Sequence, residues 1–458
     1  MIPATAPAPP PPRMTFHPRP VPPPAPRWRP PAARTDVLPN GLRVVHLHRP
    51  GQQVIALEIL LDAPLEAEPR DVEGVATLTA RALCRGPAAT DSRTFAARVE
   101  SCGATLQAHA TADGIRLACQ VPAPALPRLL DLLTETLREP AFTPYEIDRL
   151  VRQRLDEIRH EHAGPARLAA LTLYRRLFLA RHRASRPPKG SAATVPGIDS
   201  RAVRAFHDAH ARPATAAVVL VGDFTGFDVP RLVGDTLGRW DRPPAPPSRP
   251  PAPLLTDRPG IVLVDRPGSV QTHLLIGRVG VDRHSPRWPA QSVALHCLGG
   301  PLTSRLDRSL REEKGYTYGI SAFAAPLRSG ALIAISGSVE TGVTADAVAR
   351  IAATVQDASR GLTEEEHTAA RLGLKGITPA QFLTSATTAR VLADTVAERL
   401  PDTYLPTLHD RLDAVTAHDA TRALGTALPA GRLVTVAVGD ASLIHRPLRE
   451  LGPVTVTE

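Results

Sequence analysis

In a chain of 458 residues, the run "LDEIRHEH" (155–162) holds side chains suited to chemistry. His160 and Glu161 follow Glu157 by three and four residues, so on a helix they share its face, and with His162 they invite a metal reading. The plain alternative is a solvated, charged face on which Glu157 pairs with Arg154. His46 and His48, in "VVHLHR", point to one face of a strand with no third ligand beside them, which suits a surface or edge position. Cys84, Cys102, Cys119 and Cys297 form no CxxC, and free, partly buried thiols are expected of them. Neither a GxSxG nor a Cys–His arrangement supports a nucleophilic hydrolase. Taken on their own, Arg311 complements a helix C-terminus and Tyr318 packs.

These residues need elements to position them. In the first half, "GLRVVHLHR" and "VIALEILLDA" read as strands parted by the turn residues of "PGQQ". Helices are expected at 74–83 and 92–101, then strands at "ATLQAHAT" and "GIRLACQV". A long helix starts at "TPYE", with Thr143 as N-cap, Pro144 at the first helical position and Glu146 completing a capping box. In the second half, "LTSRLDRSLREEKGYTYGISAF" predicts a helix with an apolar line at Leu302, Leu306 and Leu310, stopped by Gly315, and then a strand.

The halves repeat. "RPG" at 49–51 and 266–268 and "VGD" at 221–223 and 438–440 share one offset of 217 residues (49 to 266, 221 to 438). Strand pairs alternating with helix pairs predict an α+β fold in which helices pack on one face of a mostly antiparallel sheet, once per half. The expected organisation is a disordered Pro/Arg-rich arm at 1–34, an N-terminal domain at 35–240, a Pro-rich linker at 241–258 and a C-terminal domain at 259–458.

Composition narrows the function classes. The net charge is +9, but the arm alone supplies five arginines and no carboxylate. With 4% aromatics and no basic helix with interleaved rings, nucleic-acid binding is not expected. No apolar run approaches the ~20 residues of a membrane span, and no apolar leader is visible, so a cytoplasmic protein with no membrane partner is expected.

The run "LGGPLTSRLDRSLREEKGYTYGISAF" (298–323) resembles the C-terminal-half signature of the insulinase-type (M16) zinc metallopeptidases, especially bacterial members and the mitochondrial processing peptidase group. The likeness runs from "LPNGLRVV" (38–45) to "VTVAVGD" (434–440) and implies two homologous α+β halves joined by a linker. Active members carry His-x-x-Glu-His in the first half, two zinc ligands around a general base, with a later Glu as third ligand. The matching residues here are Ala76-Thr77-Leu78-Thr79-Ala80, while Glu157, 77 residues after Ala80, keeps the third-ligand position. Alanine cannot ligate zinc and Thr79 cannot serve as a base near neutral pH, so no metal is expected in this chain. The resemblance also gives Arg311 and Tyr318 a role in binding the substrate backbone and stabilising the oxyanion.

The resemblance therefore implies the zinc-less, non-catalytic subunit of a heterodimeric peptidase. It would be inactive alone, lending Arg311 and Tyr318 to a homologous subunit that carries His-x-x-Glu-His and zinc and cleaves a peptide. A non-enzymatic, M16-like structural or interaction protein is the alternative. Degradation and precursor processing both stay open.

Overall fold

The computed structural model describes residues 28–161, 163–249, 253–256 and 258–457. The expected disorder of the arm thus falls, up to residue 27, outside the described residues. From Trp28 onward the arm is built into the protein. Trp28 packs against Phe382 and His409, with ring centroids 5.2 and 5.5 Å away.

Twelve strands form two six-stranded sheets. The first comprises β1 (Arg34–Val37), β2 (Arg43–His48), β3 (Val54–Leu61), β4 (Thr105–Ala110), β5 (Ile115–Pro122) and β6 (Ala217–Gly222), in the order β1-β2-β6-β3-β5-β4. The second comprises β7 (Gly260–Asp265), β8 (Gln271–Gly280), β9 (Ile320–Pro326), β10 (Ala331–Glu340), β11 (Val434–Gly439) and β12 (Val454–Thr457), in the order β12-β7-β11-β8-β10-β9. Removing the edge strands β1 and β12 leaves one topology used twice. Both sheets are mostly antiparallel, with a parallel pair at β2–β6 and again at β7–β11.

The repeated tripeptides mark one tertiary contact made twice. Gly51 N donates to Asp223 Oδ2 at 2.7 Å, and Gly268 N donates to Asp440 Oδ2 at 2.7 Å. Each "RPG" is the turn after the opening strand, and each "VGD" ends the parallel strand beside it. Asp223 and Asp440 are held below the usual carboxylate range, chiefly by hydrogen bonds from their own Thr225 and Ser442 hydroxyls.

Each sheet carries the helices of its own half on one face, as expected, and its second face is covered as well. Each half packs its own helices on one face, around Leu57, Leu117 and Leu133 in the first and Leu274, Ile333 and Ile351 in the second. The opposite face is closed by a helix from the other half. Ala169, Leu173 and Leu177 of the first-half helix Pro165–Leu177 meet Val264, Leu275 and Val436 of the second sheet. Ala389, Leu392 and Ala393 of the second-half helix Ser385–Ala397 meet Val45, Leu60 and Val219 of the first. The strands β6 and β11, nearly all apolar (Thr435 is the exception) and buried along their whole length, are the sequence sign of this two-sided burial.

Two local expectations also change. Leu302 is 61% exposed and lies outside the helix, which starts at Arg305 with Ser304 as N-cap. The preceding helix runs to Gly299, and from Gly300 and Pro301 the chain bends and turns up to that cap, so only Leu306 and Leu310 reach the core. Thr143 does cap the helix Pro144–Glu161, accepting from Glu146 N at 3.4 Å, but the Glu146 carboxylate turns to Arg149 at 2.9 Å. The linker is tied down at both ends. Ser248 N donates to Asp62 at 2.7 Å, and Thr256 N to Leu177 O at 2.8 Å. No described helix is long and apolar enough to cross a membrane.

Glu398 caps the exchanged helix Ser385–Ala397 and accepts from Arg283 at 3.0 Å. Burial pushes its carboxyl up to about 7, with Arg283 and His284 opposing and Asp113 and Asp394 reinforcing. A carboxyl whose folded pKa is raised binds protons more tightly in the folded state. Its stabilisation is complete below the unfolded value and is lost as pH rises through about 7. Melting temperatures at pH 5.5 and 8.5 should therefore fall less with rising pH in Glu398→Gln than in the wild type; identical falls would contradict this. Leu392→Ala, at the buried helix–sheet contact, should cost about 2–4 kcal/mol in denaturant unfolding.

Candidate functional site

The site is built on the helix Val75–Leu83. Its N-cap, Gly74, sits at φ 106°, a left-handed conformation that favours glycine. The free N–H groups of the first turn find a buried partner: Glu68 Oε1 accepts from Gly74 N and Ala76 N, both at 3.0 Å. Glu68 Oε2 in turn holds Arg183 at 2.7 Å, so the helix start is anchored by an internal ion pair. Ala76, Thr79 and Ala80 are fully buried, and the hydroxyls of Thr77 and Thr79 have no protein partner.

The next residue, Arg81, leaves the helix on its last turn and meets Glu157. The contact is a two-pronged fork, Nη1 to Oε1 at 3.0 Å and Nη2 to Oε2 at 2.7 Å. Glu157 also accepts from Arg154 Nη1 at 3.2 Å and from Gln153 at 3.1 Å. Arg154 is only 1% exposed; it grips Glu161 at 2.8 and 3.0 Å and donates through Nε to Lys189 O at 3.1 Å. Burial would raise the Glu157 carboxyl, but the Arg81 and Arg154 hydrogen bonds outweigh it and hold it below the usual range.

This donor set does not fit zinc. Ala76 and Ala80 offer only methyl groups, Thr79 a buried hydroxyl, and both oxygens of Glu157 are engaged by guanidinium. Among the described residues no group of three or more His, Cys, Asp or Glu is arranged to hold a metal ion. The metal reading of Glu157, His160 and Glu161 finds both carboxylates on Arg154, while exposed His160 bonds to Asp156 O at 2.8 Å through Nδ1. His162 lies outside the described residues. His46 and His48 go separate ways, to Asp36 at 3.3 Å and to Phe224 N at 3.0 Å. All four cysteines are free thiols.

Arg311 and Tyr318 occupy the second half. Arg311 stands on a π-helical turn, Arg308–Glu312, within 3.5 Å of Asp307 and 3.4 Å of Glu312, with its side chain 30% exposed. Gly315, at φ 66°, ends the turn. Tyr318 is 94% exposed, and its hydroxyl has no hydrogen-bond partner among the described residues. Neither residue bonds to the first half among the described residues.

Two features escaped the sequence reading. One is Arg81, visible only as the sole ionisable group of its segment. The other is the position of the expected strand β4, which ends the first sheet and packs against the helix Val75–Leu83. Among the described strands it pairs with β5 alone, which leaves its other edge open to an added strand.

The comparisons agree across the chain. The family model "Insulinase (Peptidase family M16)" matches residues 43–182, and "Peptidase M16 inactive domain" matches residues 197–374. An uncharacterised zinc protease of Mycobacterium tuberculosis is 28% identical over 354 residues, covering 75% of this chain and 79% of that protein. One from Streptomyces coelicolor is 23% identical over 340 residues, covering 73% of each. The crystal structure of a peptidase M16 inactive domain from Pseudomonas fluorescens superposes with a TM-score of 0.81 at 23% identity, over 89% of this chain and 98% of that one. A protease from Helicobacter pylori gives 0.80 at 17% identity, over 89% and 99%.

The ion network has a testable ranking. Arg154→Met takes from Glu161 the cation that holds both its oxygens, while Glu157 keeps the Arg81 fork, and should cost about 3 kcal/mol. Arg81→Ala removes a partly exposed pair and should cost about 1 kcal/mol. Equal losses in urea unfolding would contradict the arrangement.

Proposed function

Because the chain belongs to the insulinase (M16) peptidase family, we propose that it is the non-catalytic subunit of a heterodimeric zinc peptidase, contributing substrate binding and oxyanion stabilisation to hydrolysis at a partner's zinc site. One observation carries this reading. The metal position is closed by buried alanines and an Arg81–Glu157 fork, while the Arg311–Tyr318 element is folded and presents a free phenol to solvent.

Zinc and general base then belong to the partner, a homologous subunit with His-x-x-Glu-His. This chain supplies two hydrogen-bond donors of different kinds. The Arg311 guanidinium offers a rigid, planar fork of N–H donors, and the Tyr318 phenol offers a single O–H. Donors held in place before charge develops stabilise an oxyanion without reorganising. The open edge of β4 suits an extended peptide, which would add a strand through backbone hydrogen bonds. A cytoplasmic setting belongs to the same reading and is supported by four unpaired cysteines.

The test begins with the native complex. Affinity capture should recover a similar-sized homologue with the zinc motif and about one zinc per pair by elemental analysis, as a single catalytic site requires. Recovery of partners that all lack the motif would favour a scaffold. In the assembled pair, Arg311→Ala should lower kcat roughly 10²–10³-fold, the usual loss for one oxyanion donor, with assembly intact by gel filtration. Unchanged turnover would sink the shared-site reading.

A further inference from the structure

A cavity of about 290 Å³ opens where the two halves meet. Its walls are the helix Pro165–Leu177, residues 182–189 and the β4–β5 turn of the first half, with the β9–β10 turn of the second. Neither the Arg81–Glu157 fork nor Arg311 and Tyr318 line it.

The interior is apolar. Leu171, Tyr174, Phe178 and Leu327 make its main surface, and the Tyr174 and Phe178 rings stack at 6.1 Å with an interplanar angle of 10°. Two polar groups stand free in this wall: the Tyr174 hydroxyl and His182 Nε2 have no hydrogen-bond partner among the described residues. Burial raises the phenol above its ordinary value, so it remains a protonated donor.

The charges are uneven. Three lining arginines are each matched by a carboxylate: Arg183 by Glu68 at 2.7 Å, Arg186 by Glu73 at 2.7 Å and Arg328 by Glu66 at 3.6 Å. Arg167 has only a 3.6 Å approach to Glu161, both of whose oxygens are already gripped by Arg154. Lys189, exposed at the rim, forms no ion pair among the described residues. Its backbone carbonyl accepts from Arg154 Nε at 3.1 Å, and Arg154 grips the same Glu161 that Arg167 approaches, so Lys189 and Arg167 border one ion cluster at the edge of the cavity. Two incompletely matched cations therefore border an apolar, aromatic-walled space, a combination that complements an acid with an apolar body.

We propose that this junction cavity binds a carboxylate carrying an aromatic or similarly sized apolar group. The apolar body lies against Tyr174 and Phe178, and the carboxylate meets Lys189 and Arg167. The chemistry is shared by free aromatic acids and by the C-terminal residue of a peptide ending in an apolar side chain. The site does not depend on the peptidase reading, since it needs neither Arg311 nor a partner.

Isothermal titration of the full chain tests it with four probes: 3-phenylpropionate, 3-phenylpropionamide, and acetyl-Ala-Ala-Phe as its free acid and as its C-terminal amide. At least one acid should bind saturably, and its amide on the order of tenfold more weakly, the loss of one charge-assisted contact. Lys189→Gln should weaken the acid by about the same factor. Ala170→Phe, which fills the cavity, should remove binding at an unchanged melting temperature; if that variant misfolds, Lys189→Gln decides alone. Tighter binding of the peptide acid identifies a chain terminus as the source, and tighter binding of phenylpropionate identifies a free acid. Equal binding of acid and amide, no saturation by either acid up to roughly 10 mM (weaker than about −3 kcal/mol), or wild-type affinity in Lys189→Gln would overturn the proposal.

Discussion

Each sheet has an apolar second face that its own half leaves bare, and each is closed by a helix from the opposite half. This crosswise burial is the constraint on which the rest depends. It removes the hydrophobic penalty of two exposed sheet faces at once. It also ties the halves together, because each exchanged helix belongs to one half and packs on the sheet of the other. The tied-down linker and the buried carboxyl of Glu398 follow from it, since both lie where the exchanged helices pass between halves. So does the junction cavity, which one of these helices walls on one side.

The same packing explains how Glu157 and the helix Val75–Leu83 stay well formed with no metal between them. A metal site needs donors that converge on a point, and a guanidinium fork needs a single carboxylate facing it. Arg81 satisfies Glu157 with two parallel hydrogen bonds, so the carboxylate stays charged and partnered. Arg154 carries the buried share of the network, between Glu157 and Glu161. Without these cations two carboxylates would face each other's field at low dielectric. The alanines at 76 and 80 complete the change, as small apolar side chains that the core accepts.

The second half shows the opposite tendency. Around Arg311 the helix widens into a π turn, and Tyr318 follows in an exposed position with an unused hydroxyl. Exposed aromatic side chains with no partner contribute little to stability, so their placement is better understood from what they can touch outside the chain. Arg311 is steadied by Asp307 and Glu312, which hold its side chain without covering it.

The sequence by itself determined the duplication, the strand and helix alternation, and the absence of any histidine or carboxylate from Ala76 to Ala80. These are local facts: period, turn chemistry and side-chain type need no partner to be read. The shared offset of "RPG" and "VGD" was legible too, although the hydrogen bond behind it, Gly51 to Asp223, was not. Tertiary structure alone decided what depends on distant residues. The helices Pro165–Leu177 and Ser385–Ala397 carry ordinary apolar stripes, and nothing in a stripe says which sheet it will cover. Leu302 kept the helical spacing but lost the helix to the turns before Ser304. Glu157 could be recognised as a ligand position, yet its real partner, Arg81, stands 76 residues away in the chain. Periodicity reports the face a residue occupies; only the folded chain brings together charges that far apart, and their pairing, not their identity, made this site what it is.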